Sequence, residues 1–127
     1  CLTAVAPIRK RHLVLANAGE FVSTGEAYAQ MDERQSPKPL GDCEALLSAL
    51  CSGDTTIPEN LLRNDFASIV LPHCPKASDA LQRLRNFRGA GQMSGSGSTV
   101  YAVFQSEDAA NAAAAQITEK TFCVTTV

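Results

Sequence analysis

An α+β fold, a four-stranded antiparallel sheet with helices on one face, is predicted by three features of the chain. Ala77, Ala80, Leu81, Leu84 and Phe87 fall at offsets 0, 3, 4, 7 and 10, the repeat of an amphipathic helix. Val100, Ala102 and Phe104 alternate with Tyr101 and Val103, so a strand over 98–104 is apolar on both faces and belongs inside a sheet. With the middle helices set aside, the elements run β-α-β-β-α-β. This is the ferredoxin-like plan with extra helices in the first crossover. The plan by itself assigns no chemistry.

The elements follow in order. Residues 12–16 (HLVLA) have the length and composition of a strand, and Asn17-Ala18-Gly19 turns the chain. Ser23-Thr24-Gly25-Glu26 has capping-box spacing, which starts a helix over 24–31. Residues 36–41 (SPKPLG) form a loop, 42–50 a second helix, and Ser52-Gly53-Asp54 breaks it. Asn64-Asp65 offers cap chemistry for a third helix over 66–71, closed by Pro72 and Pro75. The amphipathic helix occupies 76–87, with Lys76, Arg83, Arg85 and Arg88 off its apolar stripe. A short strand around Gln92-Met93 precedes the strand over 98–104. Ser106 caps a helix whose first turn holds Glu107 and Asp108 and whose Ala-rich part runs over 109–117, and 121–127 (TFCVTTV) is β-branched and strand-like.

Length and composition narrow the function classes. A chain of 127 residues supports one core. Its formal charge of -2 argues against a nucleic-acid surface, which needs a basic field. The one basic run, Arg9-Lys10-Arg11, reads as a solvated edge. No apolar window approaches the roughly 20 residues of a membrane helix, so no membrane partner is expected. Cys1, Cys43, Cys51, Cys74 and Cys123 are odd in number and never fall as C-x-x-C, the pattern of thiols in a reducing cytoplasm. The opening CLTAV lacks an initiator Met and leads quickly into a strand, which reads as a piece of a longer protein.

The chemistry-bearing candidates are few. Gly89, Gly91, Gly95 and Gly97 lie within nine residues, and Ser94-Gly95-Ser96-Gly97 runs directly into the apolar strand. The stretch fits neither G-x-x-x-x-G-K-[ST] nor G-x-G-x-x-G, and it lacks the G-x-S-x-G elbow. It is either a tight hairpin turn or a loop whose bare backbone N–H groups face an anion. His73 has no second ligand at metal-binding spacing, His12 reads as a strand-edge residue, and Tyr28 as a core or boundary aromatic. No carboxylate pair, Ser-His-Asp set or metal cluster emerges.

Residues 93–104 (MSGSGSTVYAVF) resemble the C-terminal motif of the GHMP kinases, small-molecule kinases named for galactose, homoserine, mevalonate and phosphomevalonate. Leu2-Thr3 with Val5, the run from Val14-Leu15-Ala16-Asn17 through Val22-Ser23-Thr24 to Tyr28, and Asn64-Asp65-Phe66 extend the likeness in order along nearly the whole chain, weakly between Gln35 and Pro58. The likeness is strongest to the branch whose alcohol substrate carries a cytidylyl group, in non-mevalonate isoprenoid biosynthesis. It implies that residues 1–127 are the C-terminal domain of a two-domain kinase. Mevalonate-type or homoserine kinases, and a free-standing ferredoxin-like ligand-binding module, are the alternatives.

The resemblance also implies roles. Ser94, Gly95, Ser96 and Gly97 would lie near the phosphates of ATP and the transferred phosphoryl group. Thr24, Gly25 and Tyr28 would line the substrate side, where an aromatic packs against the cytosine ring. The family often has proline at the place of Gly25 and usually phenylalanine at that of Tyr28. Its ATP loop, Mg²⁺ contact and catalytic Asp and Lys belong to the N-terminal domain. No catalytic or metal-binding residue is therefore expected here, and no cofactor for the fragment alone. The expectation is a domain that folds yet phosphorylates nothing without its partner domain.

Overall fold

The computed structural model describes residues 4, 6–33, 42–52 and 57–126. Cys1, Leu2-Thr3 with Val5, the loop over 36–41, the breaker at Gly53-Asp54 and Val127 lie outside the described residues. The elements are β1 (His12–Asn17), α1 (Thr24–Glu33), α2 (Cys43–Cys51), α3 (Ala67–Val70), α4 (Pro75–Asn86), β2 (Ala90–Met93), β3 (Thr99–Phe104), α5 (Glu107–Ala114) and β4 (Lys120–Thr125). Single 3-10 turns occur at Glu59–Leu61 and Leu71–His73.

The four strands form one sheet in the order β2-β3-β1-β4, every neighbouring pair antiparallel. Because β1 and β2 both run against β3, they are parallel to each other and need a crossover, which ends in α4. By the same geometry β3 and β4 flank β1 and are joined through α5. Both crossover helices contact one face of the sheet, α4 over β2, β3 and β1 and α5 over β1, β3 and β4. This is the ferredoxin-like plan, with α1, α2 and α3 inserted in the first crossover.

The register explains the core. Val14 pairs with Ala102 and Ala16 with Val100, so these four side chains share the helix-facing side, and each is 0% exposed. Met93 and Phe104 complete that layer at 1% exposed. Opposite them lie Ala77, Ala80, Leu81 and Leu84 of α4, and Ala110 and Ala113 of α5, all buried. Small residues on both helices let them approach the sheet closely. A Cβ placed on Gly91 would stand 2.9 Å from Leu81 Cδ1. Each large apolar side chain buried here contributes about 1.5–3 kcal/mol relative to exposure.

Local signals set the helix ends. Asp42 Oδ1 accepts from Ala45 N at 2.8 Å and Ser106 Oγ from Ala109 N at 3.2 Å, each satisfying a first-turn amide. Pro75 opens α4 rather than closing the element before it; its missing N–H costs nothing at a first helical position. With Ser106 as its cap, α5 begins at Glu107, so that Glu107 and Asp108 fill its first turn as expected, and it ends at Ala114, short of Ile117.

Three sequence expectations are corrected. Phe87 leaves the apolar stripe and is 41% exposed, because α4 ends at Asn86 and the chain turns back through Arg88, at φ 60. Arg11 is not a solvated edge. It is 4% exposed, and its Nη2 donates to Ala49 O at 2.9 Å and Leu50 O at 3.0 Å, carbonyls at the C-terminal end of α2, where a cation complements the helix dipole. His12 lies on an interior strand, between β3 and β4, and its Nδ1 is 3.2 Å from Thr125 Oγ1. Among the described residues no helix is long and apolar enough to cross a membrane.

Candidate functional site

The glycine-rich stretch is the connection between β2 and β3. Met93 pairs with Val100, and Ser94 N donates to Thr99 O at 2.9 Å to close the hairpin. The turn tightens through Gly97 N donating to Ser94 O at 3.0 Å. Gly95 (φ +54) and Gly97 (φ +87) take left-handed conformations that side chains resist, so glycine is favoured at both places. The hairpin reading is therefore correct as far as it goes.

Three side-chain hydrogen-bond sets then fix the loop, two from outside it and one from within. Asn64 Nδ2 donates to Met93 O at 2.7 Å and to Gly95 O at 2.8 Å. Ser98, 8% exposed, donates through Oγ to Glu20 O at 2.7 Å. Thr24 Oγ1 lies 3.0 Å from Ser96 Oγ, which brings the start of α1 against the loop. Glu20 is itself held, because its carboxylate accepts from Lys76 N at 3.2 Å and Ala77 N at 2.9 Å at the start of α4. A carboxylate is favoured there by the helix dipole. Among the described residues the Gly95 and Ser96 amides donate to no protein group. The loop is thus rigidly placed while presenting two unspent N–H donors beside two hydroxyls, an arrangement suited to phosphate oxygens.

Thr24 begins α1, where Ser23 Oγ accepts from Glu26 N at 3.3 Å, the first half of the expected capping box. Tyr28 stands one turn along the same helix and is 56% exposed, so it is neither core nor fully solvated. Its ring meets Phe66 edge-on, with centroids 4.9 Å apart and planes at 78°. Gly25 is exposed, and a Cβ placed there would have no neighbour within 4 Å. The structure therefore brings Thr24 to the loop and Tyr28 to Phe66, and leaves Gly25 on the open surface of α1.

Asn64, Phe66, Glu20 and Ser98 were not singled out as site residues by the sequence. Asn64 Oδ1 accepts from Phe66 N at 2.9 Å, so the expected cap chemistry is present, but the two bonds that matter to the loop span 29 and 31 positions. No local pattern shows such pairings. Among the described residues no group of three His, Cys, Asp or Glu side chains could hold a metal, and His73 lies exposed in a 3-10 turn.

On the far side of Ala27 a cleft of about 240 Å³ runs between α1 and α3, walled by Val22, Ala27, Ile69, Val70 and Cys74 and overhung by Phe21, which is 92% exposed. Burial, and after it the Glu20 carboxylate, push the Cys74 thiol above its ordinary value of 9.0. The unfolded thiol ionises near 9.0 while the folded one keeps its proton, so its contribution to stability is complete below that pH and declines as pH rises through and beyond it. Burial raises Tyr101 from 10.0 in the same sense. Cys74→Ala should accordingly soften, without abolishing, the loss of urea midpoint between about pH 8 and about pH 10.5, measured as a series of denaturation curves.

Fold and site together define a ferredoxin-like domain that presents a pinned, glycine-lined hairpin and an aromatic pair on one side. The model of the GHMP kinase C-terminal region matches residues 46–122, and the chain belongs to this family. It is 34% identical over 131 residues to the 4-diphosphocytidyl-2-C-methyl-D-erythritol kinase of Synechococcus elongatus, covering 91% of this chain and 42% of that protein. It therefore spans about two fifths of the relative's length. A crystal structure of 4-(cytidine 5'-diphospho)-2C-methyl-D-erythritol kinase superposes with a TM-score of 0.71 at 23% identity, over 94% of this chain and 44% of that one. The L. major mevalonate kinase in complex with R-mevalonate superposes at 0.66 and 19% identity, over 97% of this chain and 44% of that one. At these identities the two structures establish the shared fold.

Proposed function

We propose that the chain is the C-terminal domain of a kinase that transfers the γ-phosphoryl group of ATP to an alcohol of 4-diphosphocytidyl-2-C-methyl-D-erythritol, in non-mevalonate isoprenoid biosynthesis. The observation that carries the reading is the contact between Thr24 and Ser96 at 3.0 Å, which joins the loop and the aromatic-bearing helix into one wall. The relatives that bear this kinase's name support the choice of substrate. Phosphoryl transfer requires charged oxygens to be positioned and stabilised, with little covalent chemistry for the protein. The Gly95 and Ser96 amides supply donors for those oxygens, and the Thr24 and Ser96 hydroxyls add adjustable partners. Tyr28, braced by Phe66, offers a ring to the cytosine.

In this reading the whole protein is cytoplasmic and has an N-terminal domain that contributes the ATP loop, the Mg²⁺ contact and the catalytic Asp and Lys. Mg²⁺, when bound, neutralises charge on the phosphates. The domain described here binds, orients and excludes water. A mevalonate or homoserine substrate is the second reading, favoured by the same fold in mevalonate kinase.

The test is a coupled assay with ATP and Mg²⁺ on the protein translated from its complete reading frame, offered the cytidylyl alcohol, mevalonate and homoserine. Turnover of the first is expected; turnover of either other alcohol instead would overturn the assignment. The 127-residue chain alone should show none. Tyr28→Ala should raise KM for the cytidylyl alcohol about threefold to tenfold, the worth of one ring contact, and leave KM for ATP unchanged.

A further inference from the structure

Loop and aromatic pair meet in one side chain. Asn64 is half-buried and makes three hydrogen bonds, donating to Met93 O and Gly95 O and accepting from Phe66 N, at 2.7, 2.8 and 2.9 Å. The orientation of its amide is dictated chemically, because two carbonyl oxygens need donors and one N–H needs an acceptor. The first pair of bonds brackets the Ser94–Gly95 step, which contains the left-handed residue. The third sets the backbone of Phe66, whose ring braces Tyr28.

We propose that Asn64 is a positioning residue that holds the phosphate-facing loop and the base-facing aromatic pair in a single frame. The proposal rests on the kinase reading given above. The cytosine of the substrate is joined covalently to the alcohol that receives the phosphoryl group, so the base and the phosphoryl group arriving from ATP must be held at one separation. A site for this transfer must therefore hold a ring surface and a set of N–H donors in a fixed relation. Asn64 bonds to the backbone that carries each, to the loop at Met93 O and Gly95 O and to the aromatic pair at Phe66 N. Few replacements could do the same: a two-donor, one-acceptor planar group of this length is specific to asparagine, and glutamine is longer by one methylene. Aspartate keeps the acceptor for Phe66 N but turns a negative charge toward two carbonyls, so it cuts the loop free while sparing the aromatic side.

The experiment compares Asn64→Asp with Phe66→Leu in the protein translated from its complete reading frame, by steady-state kinetics and by amide chemical shifts. Asn64→Asp should lower kcat about 10- to 100-fold, the loss expected from a displacement of about 1 Å in a positioning group, with little change in KM for the cytidylyl alcohol. It should shift the Gly95 and Gly97 amides and leave that of Phe66 near its native position. Phe66→Leu should do the reverse, raising KM for the cytidylyl alcohol several-fold with kcat nearly intact. A purely structural role would lower activity only in proportion to the folded fraction, with both kinetic constants of the folded protein unchanged, and that result would overturn the proposal. So would Asn64→Asp shifts that stop at residues 63–66. If Asn64→Asp does not fold, Asn64→Ser, with one donor and an acceptor, should give a smaller kcat loss of the same kind; native kcat and loop shifts in that variant would equally refute the idea. If the native protein phosphorylates none of the three alcohols, the kinase reading fails, and the amide shifts still decide whether Asn64 sets the loop.

Discussion

Gly97→Ala is expected to cost about 2–5 kcal/mol, a large share of the stability of a domain this size. Two effects combine. The residue sits at φ +87, which disfavours any Cβ by about 1–2 kcal/mol. The added methyl would also stand 2.9 Å from Met93 Sδ and 3.1 Å from Val70 Cγ1, and crowding of that kind adds about 1–3 kcal/mol. The loop cannot easily move aside, because Asn64 holds it at Met93 and Gly95 and Glu20 holds it at Ser98. Gly95→Ala separates the two effects. Its φ is +54, but a Cβ there meets nothing within 4 Å, so it should lose only the conformational part, about 1–2 kcal/mol. Urea denaturation of the two variants measures the difference; equal losses would mean that contact with Met93 and Val70 contributes nothing.

Phe104→Ala should cost about 3–5 kcal/mol, the largest single effect expected in the core. Phe104 is 1% exposed and is among the bulkiest fully buried side chains. Its ring fills the space over Gly89, where a Cβ would lie 2.6 Å from Cζ and 2.9 Å from Ala102 Cβ. Gly89 is thus glycine to admit a ring. Gly89→Ala alone should lose about 1–3 kcal/mol by crowding, and less when Phe104 is already leucine. A double-mutant cycle on stability should give a coupling of about 0.5–3 kcal/mol between the two positions; strict additivity would show that the ring does not occupy that space.

The regular elements were legible because each obeys a period or a cap that the residues announce locally. Val100, Ala102 and Phe104 alternate, Ala77 to Leu84 repeat at helical spacing, and Ser106 stands where first-turn amides need an acceptor. What the periods missed are residues whose partners are distant in sequence. Arg11 looked like one charge of a solvated run, yet its guanidinium finds the end of α2, 38 and 39 positions away. Phe87 kept the helical spacing after the helix had ended, since a stripe cannot show where a chain turns. In the candidate site, the run of glycines brought out the loop and the resemblance brought out Thr24, Gly25 and Tyr28, of which the structure places Thr24 against the loop. Asn64 was visible as a cap and as part of the resemblance, but with no role at the loop. Its two bonds to Met93 O and Gly95 O arise because the first crossover returns the chain to the β2–β3 turn, and only the folded topology brings them together.

Hydrogen–deuterium exchange on the protein translated from its complete reading frame tests most directly whether the loop and α1 form one wall of a ligand site. Adding the cytidylyl alcohol should slow exchange over residues 24–28 and at Phe66, and adding a non-hydrolysable ATP analogue should slow it over residues 94–97. Protection confined to other surfaces, such as the exposed strand β4 with Phe122 and Val124, while residues 24–28 and 94–97 exchange as in the free protein, would contradict the account.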